Sequence, residues 1–384
     1  MKIINLSSIA NPISISVQNP SRSDYDRFIG LEHYDSGEPV ITRFQGTELL
    51  TTSAKAFKAN DILIARRNVY LKRAGIVFFD GITSGDSIIL RLKEDTQKTI
   101  GYSREDLIRY IPFMLNSEHF WIYANKHADG MNSKRISKDT LLEYEFELPS
   151  IDEMRDISDK LWAAYRLKEA YKKLLVTTDE MVKSQFIEMF GNPFEINSEV
   201  VPLSSLCSIN PSKPKGLDDS LSVSFIPMDR ISEDGEYAEF ETKPLKDVKK
   251  GFTYCAEDDV LFAKITPCME NGKGAILKGL SNGIGFGSTE FHVLRPILGI
   301  SNSEWLYFLT KLNGFRIDAA KNMTGTGGQK RVPSSYLLNF KVLKPQLEVQ
   351  REFAKIVHQA DKSKFELKQC IEHIDKVIKS LING

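Results

Sequence analysis

The 384-residue sequence lacks the features of disulfide-rich, metal-binding and membrane proteins. Its four cysteines, Cys207, Cys255, Cys268 and Cys370, form no CxxC pair, so the sequence indicates neither a zinc site nor a disulfide framework. The six histidines show no metal-ligand spacing. No apolar run approaches the roughly 20 residues of a membrane-spanning helix, and the N-terminus lacks the apolar core of a secretory signal. We therefore expect a protein of the reducing cytoplasm that binds neither a metal nor a membrane.

The chain also has no excess of charge of either sign. Its 51 Lys and Arg residues balance 51 Asp and Glu residues, which argues against indiscriminate binding to polyanions. Nucleic acid is not excluded, because a cluster of Lys and Arg on one face is enough to bind it. A hydrophobic content of 41% and a charged content of 27% are typical of a globular protein, and the length favours two or three domains.

Recognisable catalytic motifs are missing as well. The segment Gly325–Lys330 is similar to a phosphate-binding loop, but Arg331 follows the lysine where that motif requires Ser or Thr. Gly191-Asn192-Pro193-Phe194 is similar to the Asn-Pro-Pro-aromatic motif of amino-methyltransferases, yet it lacks the second proline and lies at a predicted helix end. Asp234 and a later Glu-x-Lys triplet imitate a metal-nuclease core, but the first half has no counterpart. We therefore expect no active site and no bound cofactor in this chain.

What the chain does contain is an internal repeat. Segments of its first half return in its second half at a nearly constant offset of 196 to 198 positions. The clearest pairs are Leu6-Ser7-Ser8 with Leu203-Ser204-Ser205, Phe28-Ile29 with Phe225-Ile226, Asp61 with Asp259, and Lys134-Arg135 with Lys330-Arg331. An offset of half the chain is too long for a solenoid repeat. It indicates a duplicated domain, and two similar domains suit a target with two similar halves.

Each half is predicted to be a mixed α/β domain followed by a long helix, which makes the fold class α+β. Short β-branched and aromatic runs bounded by turn residues predict a small, twisted, largely antiparallel sheet in each half. The predicted strands are Asp61–Ile64, Gly75–Phe79 and Ser87–Leu90 in the first half, and Asp259–Phe262, Gly274–Leu277 and Glu290–Leu294 in the second. One helix is predicted to follow the strands in each half, over Arg104–Phe120 and Ser303–Ala320.

Both long helices carry a heptad pattern. Apolar residues that alternate at spacings of four and three predict a coiled-coil seam. The seam positions are Ile157, Leu161, Ala164, Tyr171, Leu175 and Val182 in one helix, and Phe353, Val357, Ala360, Leu367, Ile371, Ile374 and Ile378 in the other. Lys168 and Lys364 occupy the same slot of the two seams. Each helix alone would be expected to pack on its own domain, but two matched seams favour an antiparallel pair with pseudo-two-fold symmetry.

The predicted organisation therefore has four parts. They are a first domain at 1–150, a central long helix at 151–192, a second domain at 193–346 and a C-terminal long helix at 347–384. At ~1.5 Å per residue, a helix of about 35 residues spans roughly 50 Å, which is more than one turn of DNA. A rigid helix pair of this length would hold two domains at a fixed separation.

A basic, glycine-containing loop occurs in each half. Its hydroxyl, amide and cationic side chains suit contacts to phosphates and base edges, with Arg reading guanine and Gln reading adenine. The candidates are Thr324, Thr326, Gln329, Lys330 and Arg331 in the second half, and Asn132, Lys134 and Arg135 in the first. A second basic cluster, Arg66, Arg67, Lys72 and Arg73, aligns near Lys264 and Lys273. A lone Lys-Arg pair is usually solvated surface, but recurrence at the same offset favours DNA binding.

The order of domain, long helix, domain and long helix, with the loop Thr324–Pro333 before the second helix, resembles the DNA specificity subunit of type I restriction-modification systems. The resemblance covers essentially the whole chain. The second half is the closer match, through Gly325–Pro333, Pro345–Gln350 and the heptad helix, whereas Gly130-Met131-Asn132-Ser133 departs from the glycine-rich stretch.

The resemblance implies that each domain recognises one part of a split double-stranded DNA sequence and that the helices set the gap between the parts. It implies two modification (methyltransferase) subunits docked on the helical regions, with restriction subunits joining them for cleavage. S-adenosylmethionine, ATP and Mg would belong to those partners. Two other interpretations stay open: a fragment related to a methyltransferase or nuclease enzyme, and a coiled-coil adaptor that does not bind DNA.

Overall fold

A computed structural model describes residues 2–131, 133–192, 200–326 and 328–383. It consists of two compact units, one formed by Met1–Lys172 with Lys368–Gly384 and the other by Lys173–Leu367. Each unit contains a sheet-rich domain and a segment of both long helices. The predicted α+β class with two similar domains is confirmed. None of the described helices is both long enough and apolar enough to cross a membrane.

The first unit is built from short strands and helices that precede the first long helix. Its strands are β1 (Lys2–Asn5), β2 (Ala10–Ile13), β3 (Ile15–Val17), β4 (Phe28–Ile29), β5 (Ala54–Phe57), β6 (Ile62–Ala65), β7 (Ala74–Ile76), β8 (Gly81–Thr83), β9 (Ser87–Leu92) and β10 (Glu145–Leu148). Its helices are α1 (Thr96–Thr99), α2 (Arg104–Met114), α3 (Glu118–Lys126), α4 (Lys138–Leu142) and the long α5 (Ile151–Phe190), which continues into the second unit.

The second unit repeats this order. Its strands are β11 (Val200–Pro202), β12 (Cys207–Ile209), β13 (Ser222–Ile226), β14 (Glu241–Pro244), β15 (Thr253–Ala256), β16 (Val260–Ala263), β17 (Gly274–Ile276), β18 (Ile284–Gly287), β19 (Phe291–Pro296) and β20 (Lys341–Leu343). Its helices are α6 (Leu245–Val248), α7 (Ser303–Lys311), α8 (Asn313–Lys321), α9 (Ser334–Asn339) and the long α10 (Leu347–Asn383), whose C-terminal end lies in the first unit.

The sheets of the two units correspond strand by strand. An antiparallel sheet has the order β2-β9-β6-β7 in the first unit and β12-β19-β16-β17 in the second. A second sheet contains a parallel pair in each unit, β4 with β8 and β13 with β18. Its edge strand differs, because β3 pairs with β5 in the first unit whereas β14 pairs with β13 in the second. The chain ends of each domain are closed by the two-stranded pairs β1-β10 and β11-β20.

The central strands of both units are buried on both faces. In β6, Ile62 and Ile64 pack in a cluster with helix α2, while Leu63 and Ala65 pack in a separate cluster against the second sheet. This is the period-two alternation of a strand inside a continuous apolar run. Strand β16 repeats it, because Val260 and Phe262 face one cluster and Leu261 and Ala263 the other. A layer of helices and a second sheet therefore enclose each antiparallel sheet.

The repeat extends to individual hydrogen bonds. Asp61 and Asp259 are fully buried, and each accepts two hydrogen bonds of 2.7 Å from an arginine on the neighbouring strand, Arg91 or Arg295. The second oxygen of each carboxylate also accepts a backbone N–H three residues earlier in the chain. Equal contacts at positions that the sequence repeat aligns confirm the duplicated domain.

The two single helices predicted at Arg104–Phe120 and Ser303–Ala320 are wrong, since each is split in two. Helix α2 ends at Met114, and Ser117 caps the new helix α3 by accepting the Phe120 N–H. In the second unit, Leu312 adopts extended backbone angles (φ −63°, ψ 133°) between α7 and α8. The predicted strand Gly75–Phe79 is also shorter, because β7 ends at Ile76.

The long helices pack against each other within each unit, as the seam predicted. In the first unit, Leu161 and Ile378 share a buried cluster, and Lys168 contacts Asp375 at 2.5 Å. In this pair of contacts the residue number rises along α5 as it falls along α10, so the segments are antiparallel.

The second unit has the same antiparallel arrangement. Phe186 packs on Phe353 in one buried cluster, and Lys364 contacts Asp179 at 3.0 Å. All predicted seam positions are buried or half-buried in both helices. Each helix therefore donates the lysine of its seam to an aspartate of the other.

Candidate nucleic-acid interface

A short hairpin in the second unit displays most of the predicted DNA-binding residues. Thr324 and Arg331 exchange two backbone hydrogen bonds, of 2.9 and 2.8 Å, and so close the loop. Gly325 (φ +125°) makes the turn possible, because a Cβ there would lie 2.7 Å from the Gln329 carbonyl oxygen. The exposed side chains are Thr324, Thr326, Gln329 and Lys330. The loop therefore presents hydroxyl, amide and ammonium groups to solvent.

The base of this hairpin is clamped by Glu290. The Arg331 guanidinium donates from Nε and Nη2 to the Glu290 carboxylate, at 2.9 and 2.7 Å, and from Nη1 to the Gln329 carbonyl oxygen at 3.1 Å. The hydrogen bonds from Arg331 lower the pKa of Glu290, although burial opposes them. The charge of Arg331 is thus largely compensated. We infer from this geometry that Arg331 positions the loop, whereas Lys330 carries the exposed positive charge.

A neighbouring segment supports the hairpin through its backbone. The Lys264 N–H donates to the Glu290 carbonyl oxygen, and the Lys264 carbonyl oxygen accepts the Val332 N–H, both at 2.9 Å. Thr266 Oγ1 accepts the Lys330 N–H at 3.2 Å. The structure therefore brings the predicted residue Lys264 next to the predicted loop, although 66 positions separate Lys264 from Lys330 in the chain.

The first unit has an equivalent hairpin. Asp129 and Arg135 exchange backbone hydrogen bonds of 2.9 and 2.8 Å, and Gly130 (φ +113°) follows the first of them as Gly325 does in the second unit. Lys134 and Arg135 are exposed. The predicted contact residue Asn132 lies outside the described residues. The two basic loops that the sequence repeat aligns therefore also form similar hairpins in the structure.

Asp86 stands in the first unit where Glu290 stands in the second. Its carbonyl oxygen accepts the Arg66 N–H at 2.9 Å, and its carboxylate lies 3.7 Å from Arg135 and 3.9 Å from Arg67. These ion pairs are longer than the Arg331–Glu290 contact, so Asp86 compensates the charges of the two arginines less than Glu290 compensates the charge of Arg331. Both are exposed. The first hairpin therefore presents more cationic surface than the second.

Two of the predicted cations serve their own domain. Arg73 donates to the backbone carbonyl oxygens of Leu31 and Arg67 at 3.0 and 3.1 Å, and burial lowers its pKa. Lys273 donates to the Met228 carbonyl oxygen at 3.3 Å. Lys72, in contrast, is exposed. Arg73 and Lys273 therefore hold loops together, and Lys72 remains oriented towards solvent.

Sequence reasoning missed the acids of the clamps. Asp86 and Glu290 each come directly before a strand, β9 or β19, at the same place in both halves. That shared acidic position is a signal within the repeat. The arginine partner is not readable from sequence, because Arg331 and Glu290 lie 41 positions apart.

No metal site accompanies the hairpins in the part of the chain that the structure describes. His, Cys, Asp and Glu side chains there form no cluster of three or more able to hold a metal ion. Cys207 and Cys255 are buried, and burial raises the pKa of Cys207 to about 12 and also raises that of Cys255. Their thiols therefore stay protonated at neutral pH.

Comparison with known proteins gives a consistent result. The family described as type I restriction modification DNA specificity domain matches residues 195–376. Over 162 residues the chain is 46% identical to the type I restriction enzyme EcoAI specificity subunit of Escherichia coli, and this match covers 41% of this chain and 27% of that protein. Over 198 residues it is 36% identical to the EcoEI specificity subunit of Escherichia coli, which covers 50% of this chain and 33% of that protein. The chain thus spans about a third or less of the length of the curated relatives it matches.

A solved structure matches over nearly the whole chain. The crystal structure of the type I restriction-modification system S subunit from M. genitalium covers 99% of this chain and 94% of its own, with a TM-score of 0.52 at 12% identity. At this identity the match establishes a shared fold. It agrees with the tandem arrangement of two sheet-rich domains and long helices.

Proposed function

Because residues 195–376 match the type I restriction modification DNA specificity domain family, we propose that this chain is a specificity subunit that selects a DNA target. One observation carries the proposal. The same exposed, basic hairpin is built twice, closed at Arg135 and Arg331 and clamped by Asp86 and Glu290. Two equivalent reading surfaces suit a double-stranded target with two separate parts, one for each domain.

The hairpins divide the work between phosphates and bases. Lys134 and Lys330 are exposed point charges and suit phosphate oxygens. Thr326 and Gln329 present groups that hydrogen-bond base edges, Gln to adenine above all. Around the first hairpin, Arg67, Lys72 and Arg135 add cationic contacts, with Asn132 proposed beside them. Because the whole chain has no net charge, its affinity for DNA is proposed to come from the basic side chains of these loops.

The long helices set the gap between the two parts of the target. Helix α5 has 40 residues and α10 has 37, which at ~1.5 Å per residue correspond to roughly 60 and 55 Å. The antiparallel seam segments in each unit support a stiff pair. We propose that this pair holds the two recognition domains more than one DNA turn apart.

The partners are two modification subunits and, for cleavage, restriction subunits. S-adenosylmethionine, ATP and Mg are proposed to act in those partners, in the cytoplasm, and this chain is proposed to be non-catalytic. Exposed apolar side chains on the long helices support a docking surface there, since such groups favour burial against a partner. They are Leu167, Leu174, Val176, Met181, Phe365 and Val377.

The test measures DNA binding by the complex of this chain with its modification subunits. Lys134→Ala and Lys330→Ala should each weaken binding and lower the slope of log affinity against log salt by about 1 for every phosphate that is no longer neutralised. These two substitutions should weaken binding without changing sequence discrimination, because phosphate contacts carry no sequence information. Gln329→Ala and Asn132→Ala, which remove amides suited to base edges, should change discrimination only in targets mutated in their own half. Lys98→Ala in α1 and Lys341→Ala in β20 are matched controls, because both remove an exposed positive charge from another element.

Three results would contradict the proposal. Salt-insensitive or absent DNA binding by the complex would favour the adaptor interpretation. Methyl transfer or strand cleavage by the pure chain would favour the enzyme interpretation. Relaxed discrimination in both halves after a single hairpin substitution would show that the two hairpins are not separate readers.

A further inference from the structure

A short turn beside the first hairpin exposes apolar side chains among cations. The 3-10 turn Val69–Leu71 follows the basic pair Arg66-Arg67 and precedes Lys72-Arg73. The Tyr70 side chain at its tip is 60% exposed, and Leu71 is exposed beside it. A large aromatic ring held in solvent lacks the hydrophobic stabilisation that burial would supply. Its position therefore needs a reason outside the isolated domain.

The backbone of the turn is anchored to the rest of the domain. Val69 is buried in the domain core. Asn68 (φ +54°) and Lys72 (φ +50°) flank the turn in left-handed backbone conformations, which residues other than glycine rarely adopt and which cluster at functional sites. The Asn68 N–H donates to the Lys134 carbonyl oxygen at 2.8 Å. This bond joins the turn to the first hairpin.

The hairpin adds a further apolar side chain to this surface. Met131, near its tip, is 95% exposed. Ser133 Oγ donates to the Asn68 side chain at 3.2 Å and accepts from Arg67 Nε at 2.9 Å. Two joined loops therefore present Tyr70, Leu71 and Met131 together with exposed lysines and arginines. We name this set the apolar tip.

The second unit has a corresponding turn that is two residues longer, since Ala263 N–H donates to the Lys273 carbonyl oxygen where Ala65 N–H donates to that of Arg73, and its tip is polar. Met269 is buried as Val69 is, and Gly272 (φ +74°) has the left-handed conformation of Lys72. Between them, Glu270 and Asn271 are exposed where Tyr70 and Leu71 stand in the first unit. Thr326 takes the place of Met131 in the hairpin. The end of the turn is thus similar in the two units, and the apolar tip is a property of the first domain among the described residues.

We propose that Tyr70 is a wedge that packs against a base step of double-stranded DNA in the part of the target read by the first domain. This inference rests on the proposed function. The flanking cations Arg67, Lys72, Lys134 and Arg135 attract the phosphate backbone, and Asp86 compensates two of them only at 3.7 and 3.9 Å. Once the backbone is held, the ring buries its surface against bases and partly unstacks them. Positive charge around the ring favours DNA over an apolar protein surface.

A consequence is that the two domains recognise their halves of the target through different interactions. The first half depends on how readily a base step deforms, in addition to hydrogen bonds. The second half of the target faces Glu270 and Asn271 in this proposal, and its recognition does not depend on the deformation of a base step. Base changes at the wedged step should therefore matter even where no side chain hydrogen-bonds the base.

The experiment uses the complete complex with modification subunits and target duplexes that carry 2-aminopurine at single positions other than the modified base. The first domain's half is identified as the one whose discrimination Asn132→Ala alters. Binding should raise 2-aminopurine fluorescence at one step in that half. Tyr70→Ala should abolish the rise and weaken binding about 10-fold, with the salt slope unchanged because the same phosphates stay neutralised. Tyr70→Phe should retain both, and Glu270→Ala is the matched control.

The possible failures are distinguishable. Unchanged fluorescence and affinity for Tyr70→Ala, in a complex that still binds its target specifically, would overturn the wedge and leave the proposed function standing. Absence of specific binding by the unaltered complex would overturn both. Reduced recovery of modification subunits with Tyr70→Ala would assign the ring to a protein interface and refute the wedge. The thermal unfolding midpoint should stay unchanged, since Tyr70 is exposed.

Discussion

Replacing Lys168 with Met should destabilise the first unit, whereas Lys364→Met should affect the second unit much less. The two lysines occupy the same slot of matched heptad seams, so the substitution is the same in chemistry and position. The Lys168 side chain is 9% exposed, and its Nζ lies 2.7 Å from Glu38 and 2.5 Å from Asp375. The Lys364 side chain is 22% exposed, and its Nζ lies 3.0 Å from Asp179. Burial of the partners decides the difference.

The magnitude follows from what each substitution leaves behind. Removing one member of a buried ion pair costs ~3–5 kcal/mol, because the remaining charge is left without compensation. Glu38 is 14% exposed but keeps Lys172 at 2.9 Å, and Asp375 is partly hydrated. We therefore reduce the expected destabilisation for Lys168→Met to about 2 kcal/mol. Asp179 is exposed enough to be hydrated, and pairs of that kind contribute about 1 kcal/mol or less.

The same network predicts a pH dependence. Burial raises the pKa of Glu38, but the hydrogen bonds from Lys168 and Lys172 outweigh burial and hold the pKa below its usual range. A carboxyl with a lowered folded pKa stabilises the fold above its unfolded pKa of about 4.3 and loses that contribution as the pH falls through the folded pKa. The difference between wild type and Lys168→Met should therefore be full at pH 7 and shrink below about pH 4.

Urea unfolding followed by tryptophan fluorescence separates the two units. Trp121 and Trp162 lie in the first unit and Trp305 in the second, so Trp305→Phe leaves a probe of the first unit alone. The double variant Trp121→Phe/Trp162→Phe leaves a probe of the second. At a slope of about 2 kcal/mol per molar urea, Lys168→Met should lower the midpoint by about 1 M. Equal shifts for the two lysines, or none for Lys168, would refute the reasoning from burial.

Two further predictions concern the repeated contacts of the domains. Asp61→Asn and Asp259→Asn should each destabilise their own unit by ~3 kcal/mol in the same assay, because both carboxylates are fully buried and doubly bonded to arginine; a destabilisation well below about 1 kcal/mol would contradict this. Glu290→Gln should speed hydrogen exchange of the hairpin amides at pH 7. Since Arg331 lowers the pKa of Glu290, wild type should approach the variant only as the pH falls through that lowered pKa.

Much of the fold could be predicted because the repeat and the heptads can be recognised from the order of residue types alone. The seam is set by side chains three and four positions apart, and its residues, including Lys168 and Lys364, are buried or half-buried in the structure. The turn residue directly before Asp61 and Asp259 has a left-handed backbone conformation in both halves, at Asn60 (φ +70°) and Asp258 (φ +67°). Such signals need no knowledge of distant contacts.

What could not be predicted depends on contacts far apart in sequence. The edge strands β3 and β14 pair with opposite sides of a three-strand core that the two units share. The side that each strand joins depends on which core strand has unpaired backbone groups next to it in the folded domain. The sequence over Arg104–Phe120 predicts a continuous helix, but the Ser117 cap and packing over the sheet split it. Residue type alone makes Arg331 a candidate base reader. Its pairing with Glu290 becomes visible only when β19 and the hairpin are brought together.

The central claim is that each domain reads one part of a two-part DNA target. Methylation-site mapping in a host that carries this chain and its modification subunits tests it most directly. The account predicts one bipartite sequence with a fixed gap, and predicts that Asn132→Ala and Gln329→Ala relax different parts of it while the gap stays constant. A continuous target, or relaxation of both parts by either single substitution, would contradict the account.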